Sequence, residues 1–393
     1  MTGSSKARVI AVASFDRADF SACRAVLQAA AHDSRLAPRF IAGGRLLTEP
    51  GDRLVHSLEA EGMAPSERIP WKEGDTPGDA VAAIAAVTTG MGEALGRLAP
   101  DVLLLVGDRS ELLGAASAAT ALGVPLAHVS GGEITEGAYD DAVRHSLTKL
   151  SHVHFVAMEN ARRRVQQLGE EDWRITVTGD PSLDAVLSAP RLPREELSNA
   201  IGQDLCPPVV VLTWHPTTLG GDPKTEVQEV IQGLADYQGT LVITAANADP
   251  GGDSINRRLR ELATVRPRTG FHTALGPRLF SSLLAIADGM AGNSSSGIWE
   301  APSYRLPVLN IGERQSGRCH ARNVIHQPCA ASAIANGLES LLEPSFRTGL
   351  EGMTNPYGDG HAAARIVEVL AGLPSRERLL RKRFVNYSSD DAL

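Results

Sequence analysis

Residues 102–155 read VLLLVGDRSELLGAASAATALGVPLAHVSGGEITEGAYDDAVRHSLTKLSHVHF, and this stretch decides the fold. Residues 102–106 are apolar without alternation, the pattern of a parallel strand buried on both faces, and they deliver Asp108 at the strand's carboxyl end. A second apolar run, residues 124–129, ends in Ser130, Gly131, Gly132 and Glu133, and a helix opens soon afterwards at Asp140, Asp141, Arg144 and His145. A third strand, SHVHFVA, follows that helix. Strands alternating with helices predict an α/β fold with a parallel sheet covered on both faces, and such sheets bind ligands beyond the carboxyl ends of their strands. Acids gathered at two adjacent strand ends therefore mark a candidate catalytic rim, formed by Asp108, Glu133, Glu136 and Asp140 with Arg144 and His145 beside them.

The flanking sequence repeats the pattern. Residues 9–13 predict a first strand, and residues 20–31 an alanine-rich helix. Neither GxGxxG nor GxxxxGKS occupies the turn between them, so a dinucleotide fingerprint and a P-loop are unsupported. Arg17, in that turn, is a candidate phosphate contact, with a salt bridge to Asp19 as the alternative. Residues 39–42 predict a second strand and residues 77–98 a long helix. His152 and His154 share one strand face, and without a third ligand at a zinc-site spacing they read as hydrogen-bonding rings rather than metal ligands. A helix over 159–169 with a glycine stop and a strand over 175–178 complete this half. The proline-rich stretch SAPRLPREELSNAIGQDLCPP, residues 188–208, marks a domain boundary.

Beyond it, residues 209–214 form an unbroken apolar strand that ends at His215, a side chain able to pair with phosphate or carry a proton near neutral pH. Residues 241–244 predict a further strand, followed by a turn at Asn247. Gly292, Asn293, Ser294, Ser295, Ser296 and Gly297 predict a helix start whose amides, hydroxyls and dipole would hold phosphate, with Glu300 one turn on and available to ribose hydroxyls. An ordinary serine N-cap completed by the glutamate is the alternative. The last stretch, RERLLRKRFVNY, predicts an amphipathic basic helix. The expected division is an N-terminal Rossmann-like domain over 1–190, a C-terminal one over 191–372, a ligand cleft between them, and a helix over 373–393 packing back on the first domain.

At 393 residues the chain exceeds one ordinary core. A formal charge of −8 argues against general binding to nucleic acid and leaves small anionic ligands open. No apolar run is long enough to span a bilayer, and the N-terminus reads as a strand rather than a signal peptide. Cys23, Cys206, Cys319 and Cys329 form no CxxC pair, which suits reduced thiols in a cytoplasm.

DRADF, VGDRSE, HVSGGEITEGAYDDAVRHSLTKLSHVHF, the HP of WHPTT, NADPGG, GNSSSGIWEAPS, NIGERQSGR and NPYGDG occur in this order. Together they make nearly the whole chain resemble the bacterial UDP-N-acetylglucosamine 2-epimerases, and within them the hydrolysing branch of sialic-acid-like sugar pathways. The resemblance implies two Rossmann-like domains of glycosyltransferase-B type, a homodimer, and no metal or redox cofactor. It also implies a small-molecule nucleotide sugar as partner, from which UDP is eliminated to give a glycal that is then hydrated with inversion at carbon 2. By motif position it implies catalytic roles for Asp108, Asp140 and His215, nucleotide contact for Arg17, and phosphate or ribose contacts for Ser294, Ser295 and Glu300. Arg314, in NIGERQSGR, joins the expected substrate contacts. Where some relatives carry a catalytic glutamate this chain has Ser130, and Glu133 and Glu136 are the candidate replacements. UDP-N-acetylglucosamine is the first expected donor, a UDP-linked diacetamido-trideoxy sugar the second and a GDP-linked sugar the third. A glycosyltransferase of the same fold, a non-catalytic nucleotide-sugar sensor and a metal-dependent hydrolase using His128, His152 and His154 are the rival readings.

Overall fold

Seven strands are described in the first part of the chain: β1 (Arg8–Ser14), β2 (Leu36–Gly43), β3 (Glu67–Ile69), β4 (Val102–Val106), β5 (Leu126–Val129), β6 (Val153–Val156) and β7 (Ile175–Val177). They pair in parallel as one sheet in the order β3-β2-β1-β4-β5-β6-β7. Six more follow: β8 (Val209–Thr213), β9 (Thr240–Thr244), β10 (Thr269–His272), β11 (Gly289–Gly292), β12 (Val308–Ile311) and β13 (Val324–Gln327). They form a second parallel sheet in the order β10-β9-β8-β11-β12-β13. The structure is a computed structural model and describes residues 7–49, 51–72, 74, 76–135, 139–217, 222–246 and 251–387. Among these, no helix is long and apolar enough to cross a membrane.

Both sheets follow from their sequence pattern. Side chains alternate along a strand, so an unbroken apolar run feeds two cores at once. Ile10, Val12, Val102, Leu104 and Val106 enter one core of the first sheet, while Ala11, Ala13, Leu103 and Leu105 enter the other. In the second sheet Val210 and Leu212 face one core and Val209 and Val211 the opposite one. Each fully buried Val or Leu contributes about 1.5–3 kcal/mol, which holds such strands between two helical layers.

The chain divides into a unit of Met1–Ala185 with Tyr357–Leu393 and a unit of Val186–Pro356. The expected return at residue 373 therefore comes earlier, and the expected boundary at 190/191 falls at 185/186. The cause is the helix Ala362–Gly372, whose Ala363, Ile366, Val367 and Leu370 complete the first unit's core against the helix Arg17–Ala31. The Asp184 carboxylate caps that helix, accepting the amides of Ala362 and Ala363 at 3.0 and 2.7 Å. The basic C-terminal helix is also shorter than expected, ending at Leu380. Arg174, buried, donates to the carbonyls of Leu379 and Arg381 at 3.0 and 3.2 Å, taking acceptors that a longer helix would need. The Val385 amide then bonds the Gly169 carbonyl at 2.9 Å.

Candidate active site

In the first sheet the strand order reverses between β1 and β4, the position where a doubly wound sheet leaves room at its carboxyl rim. β4 ends at Val106, and Gly107, whose φ is +83°, turns the chain sharply and brings Asp108 onto that rim. The Asp108 carboxylate accepts a hydrogen bond from Nη2 of Arg144. Arg144 is nearly buried, and its other contacts fix its direction: it donates to the Glu133 carbonyl and the Thr135 hydroxyl, both at 3.0 Å, and to Asp141 Oδ1 at 3.4 Å. Asp141 also accepts the Thr135 amide at 2.8 Å and lies 3.3 Å from Nε2 of His145. Asp140, at the start of the helix Asp140–Leu150, has its proton affinity raised by burial and then by the charge of Asp108.

His128 braces this arrangement from below. Its Nε2 lies 2.8 Å from the Gly107 carbonyl and its Nδ1 3.1 Å from the Thr148 hydroxyl, one turn along the helix from Arg144. Burial brings its pKa down to about 4, so the ring is neutral and donates from Nε2. The strand end that carries Asp108 and the helix that carries Arg144 are thus tied through one imidazole. The turn after β5 is tight: Ser130 adopts φ +66°, and Gly132, at φ +77°, has no room for a Cβ against the Ala161 carbonyl oxygen.

At the N-terminal turn Arg17 is exposed, while the buried Asp19 carboxylate accepts the amides of Asp16 and Phe15 at 3.0 and 3.2 Å. Asp19 therefore closes its own loop, and burial pushes its carboxyl up to about 7.

In the second unit β8 delivers the buried Trp214 and then His215. The Asn293 side chain clamps His215 through its backbone, accepting its amide at 2.7 Å and donating to its carbonyl at 2.8 Å. Arg314 and Gln315 hold the Asn293 carbonyl at 3.1 and 2.9 Å. Gly292 has φ +130°, and a Cβ there would collide with the Thr213 carbonyl oxygen, so the two strand ends meet only because this residue is glycine. Among the described residues the amides of Ser294 and Ser295 donate to no protein acceptor, while the Ser296 amide bonds Ser294 Oγ at 3.3 Å.

The sequence model of the UDP-N-acetylglucosamine 2-epimerase family matches residues 67–371. The chain belongs to this family. It is 33% identical over 369 residues to the UDP-N,N'-diacetylbacillosamine 2-epimerase (hydrolyzing) of Legionella pneumophila, with 93% of this chain and 96% of that protein covered. It is 30% identical over 383 residues to the GDP/UDP-N,N'-diacetylbacillosamine 2-epimerase (hydrolyzing) of Campylobacter jejuni, with 96% and 99% covered. The crystal structure of the Neisseria meningitidis UDP-GlcNAc 2-epimerase bound to UDP-GlcNAc superposes with a TM-score of 0.78 at 18% identity, over 93% of this chain and all 100% of that one, a likeness of fold. That fold is two Rossmann-like parallel-sheet units of glycosyltransferase-B type.

Within this 2-epimerase family member the structure gathers Asp108, Asp140, Arg144 and His145 on the first sheet's rim, with the Glu133 backbone bonded to Arg144. On the second sheet it gathers His215, Gly292, Asn293, Ser294 and Ser295, with Arg314 bonded to Asn293. Glu136 and Asn247 lie outside the described residues. The helix expected to start at the serines is a single turn, Ser296–Trp299, with Gly297 inside it, and a 3-10 turn from Ala301 takes over after Glu300. Pro302 explains this, because its ring would strike the Ile298 carbonyl in a continuing helix. A one-turn dipole is small, so anion binding there would depend on the serine amides and hydroxyls, and Ser295 makes no side-chain cap bond.

His152 and His154 are each engaged as hydrogen-bonding rings: His152 Nδ1 accepts the Leu126 amide at 3.1 Å, and His154 Nε2 donates to the buried Glu170 at 3.1 Å. Sequence reasoning missed His128 as a brace, although it sits one residue before the end of an apolar strand, where buried polar side chains need partners. It also missed Asp16 and Arg109, which adjoin Arg17 and Asp108 and fall under the same strand-end logic.

Proposed function

We propose that this chain is a hydrolysing nucleotide-sugar 2-epimerase whose donor is a UDP-linked 2-acetamido sugar, with the 2,4-diacetamido-trideoxy sugar of N,N'-diacetylbacillosamine type ahead of UDP-N-acetylglucosamine. The observation that carries the reaction is the pair of unlike carboxyl groups, Asp108 bonded to Arg144 and Asp140 raised in proton affinity beside it. Two neighbouring acids in different environments are what an acid and base pair requires. The donor preference rests on the names of the two relatives that match nearly the whole chain.

The hydrogen on carbon 2 is not next to a carbonyl, so the bond from carbon 1 to the diphosphate oxygen must stretch before a carboxylate can remove the proton. Its electron pair leaves with UDP, and the electrons of the carbon 2 to hydrogen bond close the double bond of a glycal. Water then adds its oxygen to carbon 1 while a carboxylic acid returns a proton to carbon 2 on the opposite face. The sum is UDP and the free 2-epimer, with one water consumed. Asp108 and Asp140 share the proton steps, with Glu133 or Glu136 taking the place left by Ser130. Arg17, His215, Ser294, Ser295 and Arg314 stabilise the departing diphosphate, since preorganised donors are worth most where charge develops. Glu300 contacts the ribose. Reaction in a reducing cytoplasm as a homodimer belongs to the same reading; all four cysteines are free thiols, and light scattering reports the assembly.

Reaction in deuterated water tests the mechanism. One deuteron at carbon 2 of the released sugar is expected. Acceptor-dependent UDP release without deuterium would identify a glycosyltransferase, and binding without UDP release a sensor.

A further inference from the structure

On the other side of the β1/β4 switch from the acid cluster, the first unit has a pocket of about 310 Å3. Arg45, Trp71, Thr76, Asp79, Arg109 and Glu111 line it. Three of these stand just past different strand ends of the same rim, Arg45 after β2, Trp71 after β3 and Arg109 after β4. Arg109 joins the pocket to the acids: it follows Asp108 in the chain, and its charge bears on Asp140.

The chemistry of the walls is selective. Asp16 lies 3.5 Å from Arg109 and 3.9 Å from Arg45, and Glu111 is 2.7 Å from Nε of Arg109. Asp79 accepts the Thr76 amide at 3.0 Å in a helix-capping box. Asp79 and Glu111 on the walls and Asp16 behind the arginines thus set three carboxylates against two guanidinium groups, and a further anion would meet net repulsion. A neutral group with both a donor and an acceptor is better served, because arginine N–H groups and carboxylate or hydroxyl oxygens are both present. Trp71 offers an apolar surface to a methyl group. Its ring is fixed edge-on against Phe15, with centroids 5.6 Å apart, and it lies over Gly43 and Gly44 where no side chain intervenes. The volume is roughly ten times a water's share of the liquid, about 30 Å3, which accommodates an amide with its methyl and the adjoining edge of a sugar ring.

We propose that this pocket receives the second acetamido group of a 2,4-diacetamido sugar, the group that UDP-N-acetylglucosamine lacks. The inference rests on the nucleotide-sugar 2-epimerase reading above. It assigns donor selectivity to Trp71 and Arg45, residues outside the acid cluster.

The experiment compares UDP-2,4-diacetamido-2,4,6-trideoxyglucose with UDP-N-acetylglucosamine as donors for the full chain and two variants. Ala80→Phe fills the pocket from an exposed position on the helix Pro77–Leu98, and Trp71→Leu removes its apolar wall. Thermal melting confirms that each variant is folded. The ratio of kcat/KM for the diacetamido donor to that for UDP-N-acetylglucosamine should fall by roughly 10- to 200-fold in Ala80→Phe, mainly through KM, and should fall in Trp71→Leu as well. An unchanged ratio in folded Ala80→Phe, or an unmodified protein that turns over only UDP-N-acetylglucosamine, overturns the pocket assignment and leaves the epimerase reading standing. UDP release from neither donor by the unmodified protein overturns both.

Discussion

At the scale of single residues the site rests on side chains whose partners leave them little freedom. Asp108 is bonded to a buried guanidinium that is itself held by Glu133, Thr135 and Asp141, so its oxygens have a fixed direction. Asp108→Asn keeps the shape and removes the proton acceptor. Turnover should fall by about 10²- to 10⁴-fold with KM changed little, and steady-state kinetics with wild-type kcat would remove Asp108 from the reaction. Gly292 is a different kind of dependence. In Gly292→Ala the new methyl must push back the Thr213 carbonyl at φ +130°, at an expected cost of about 2–5 kcal/mol in chemical denaturation. UDP affinity measured by calorimetry should weaken with it, because the serines follow directly.

At the scale of elements, the acids at the ends of β4 and β5 were legible because strand ends can be found from local apolar runs alone. The pocket was not legible, since Arg45, Trp71 and Arg109 are brought together by a strand order that sequence does not print. The serine segment was half legible: amides without a protein acceptor were foreseen, but Pro302 had already set the helix length. The tie between β4 and the helix Asp140–Leu150 runs through His128 and carries its own prediction. His128→Leu keeps the volume but leaves the Gly107 carbonyl without that donor, at about 1–3 kcal/mol, while the Thr148 hydroxyl keeps its bond to the Arg144 carbonyl at 2.9 Å. Its kcat should drop at least about tenfold, equal to about 1.4 kcal/mol of barrier, while KM holds. His128→Gln, which restores a donor, should recover part of the loss. Equal kinetics in the two variants would show that the ring only fills space.

At the scale of the molecule, buried titratable groups set the response to acid. Burial brings His128 and His152 down to about 4 and lowers His154 as well. Their ordinary value is about 6.5, so below that pH the unfolded chain binds protons the folded chain refuses. Stability is complete above this range and falls as pH drops toward 4, by roughly 1.4 kcal/mol per histidine per pH unit. Burial opposes the Glu170 charge, but bonds from His154, Lys149 and Lys382 outweigh it and bring its pKa to about 2, adding a loss below its ordinary value of 4.5. Asp19 works the other way, since a carboxyl at about 7 costs stability as pH rises from about 4. His272 and His326 are lowered by burial as well, while Asp140, Asp180 and Asp184 are raised by it and act as Asp19 does; the large shifts at His128 and His152 predict a melting temperature that declines between pH 6.5 and 4.5. His152→Gln should flatten that decline, and a level profile in the unmodified protein would refute the assignment. The late return shows the limit of legibility at this scale: the resemblance implied that the helix after residue 373 packs back on the first domain, yet the helix Ala362–Gly372, which supplies most of that contact, was placed in the second, because nothing local assigns its apolar residues to one core or the other.

That late return has a consequence for biosynthesis. Ribosomes emit a chain from its amino end, and domains ordinarily settle in that order. Here the opening half lacks Ala363, Ile366, Val367 and Leu370 until the residues beyond 356 have been made, whereas Val186–Pro356 is complete sooner. The middle of the polypeptide should therefore mature before its beginning. Nascent chains arrested with residue 356 outside the exit tunnel should resist protease in their later half and be cut in their earlier half, and the reverse pattern would contradict this order.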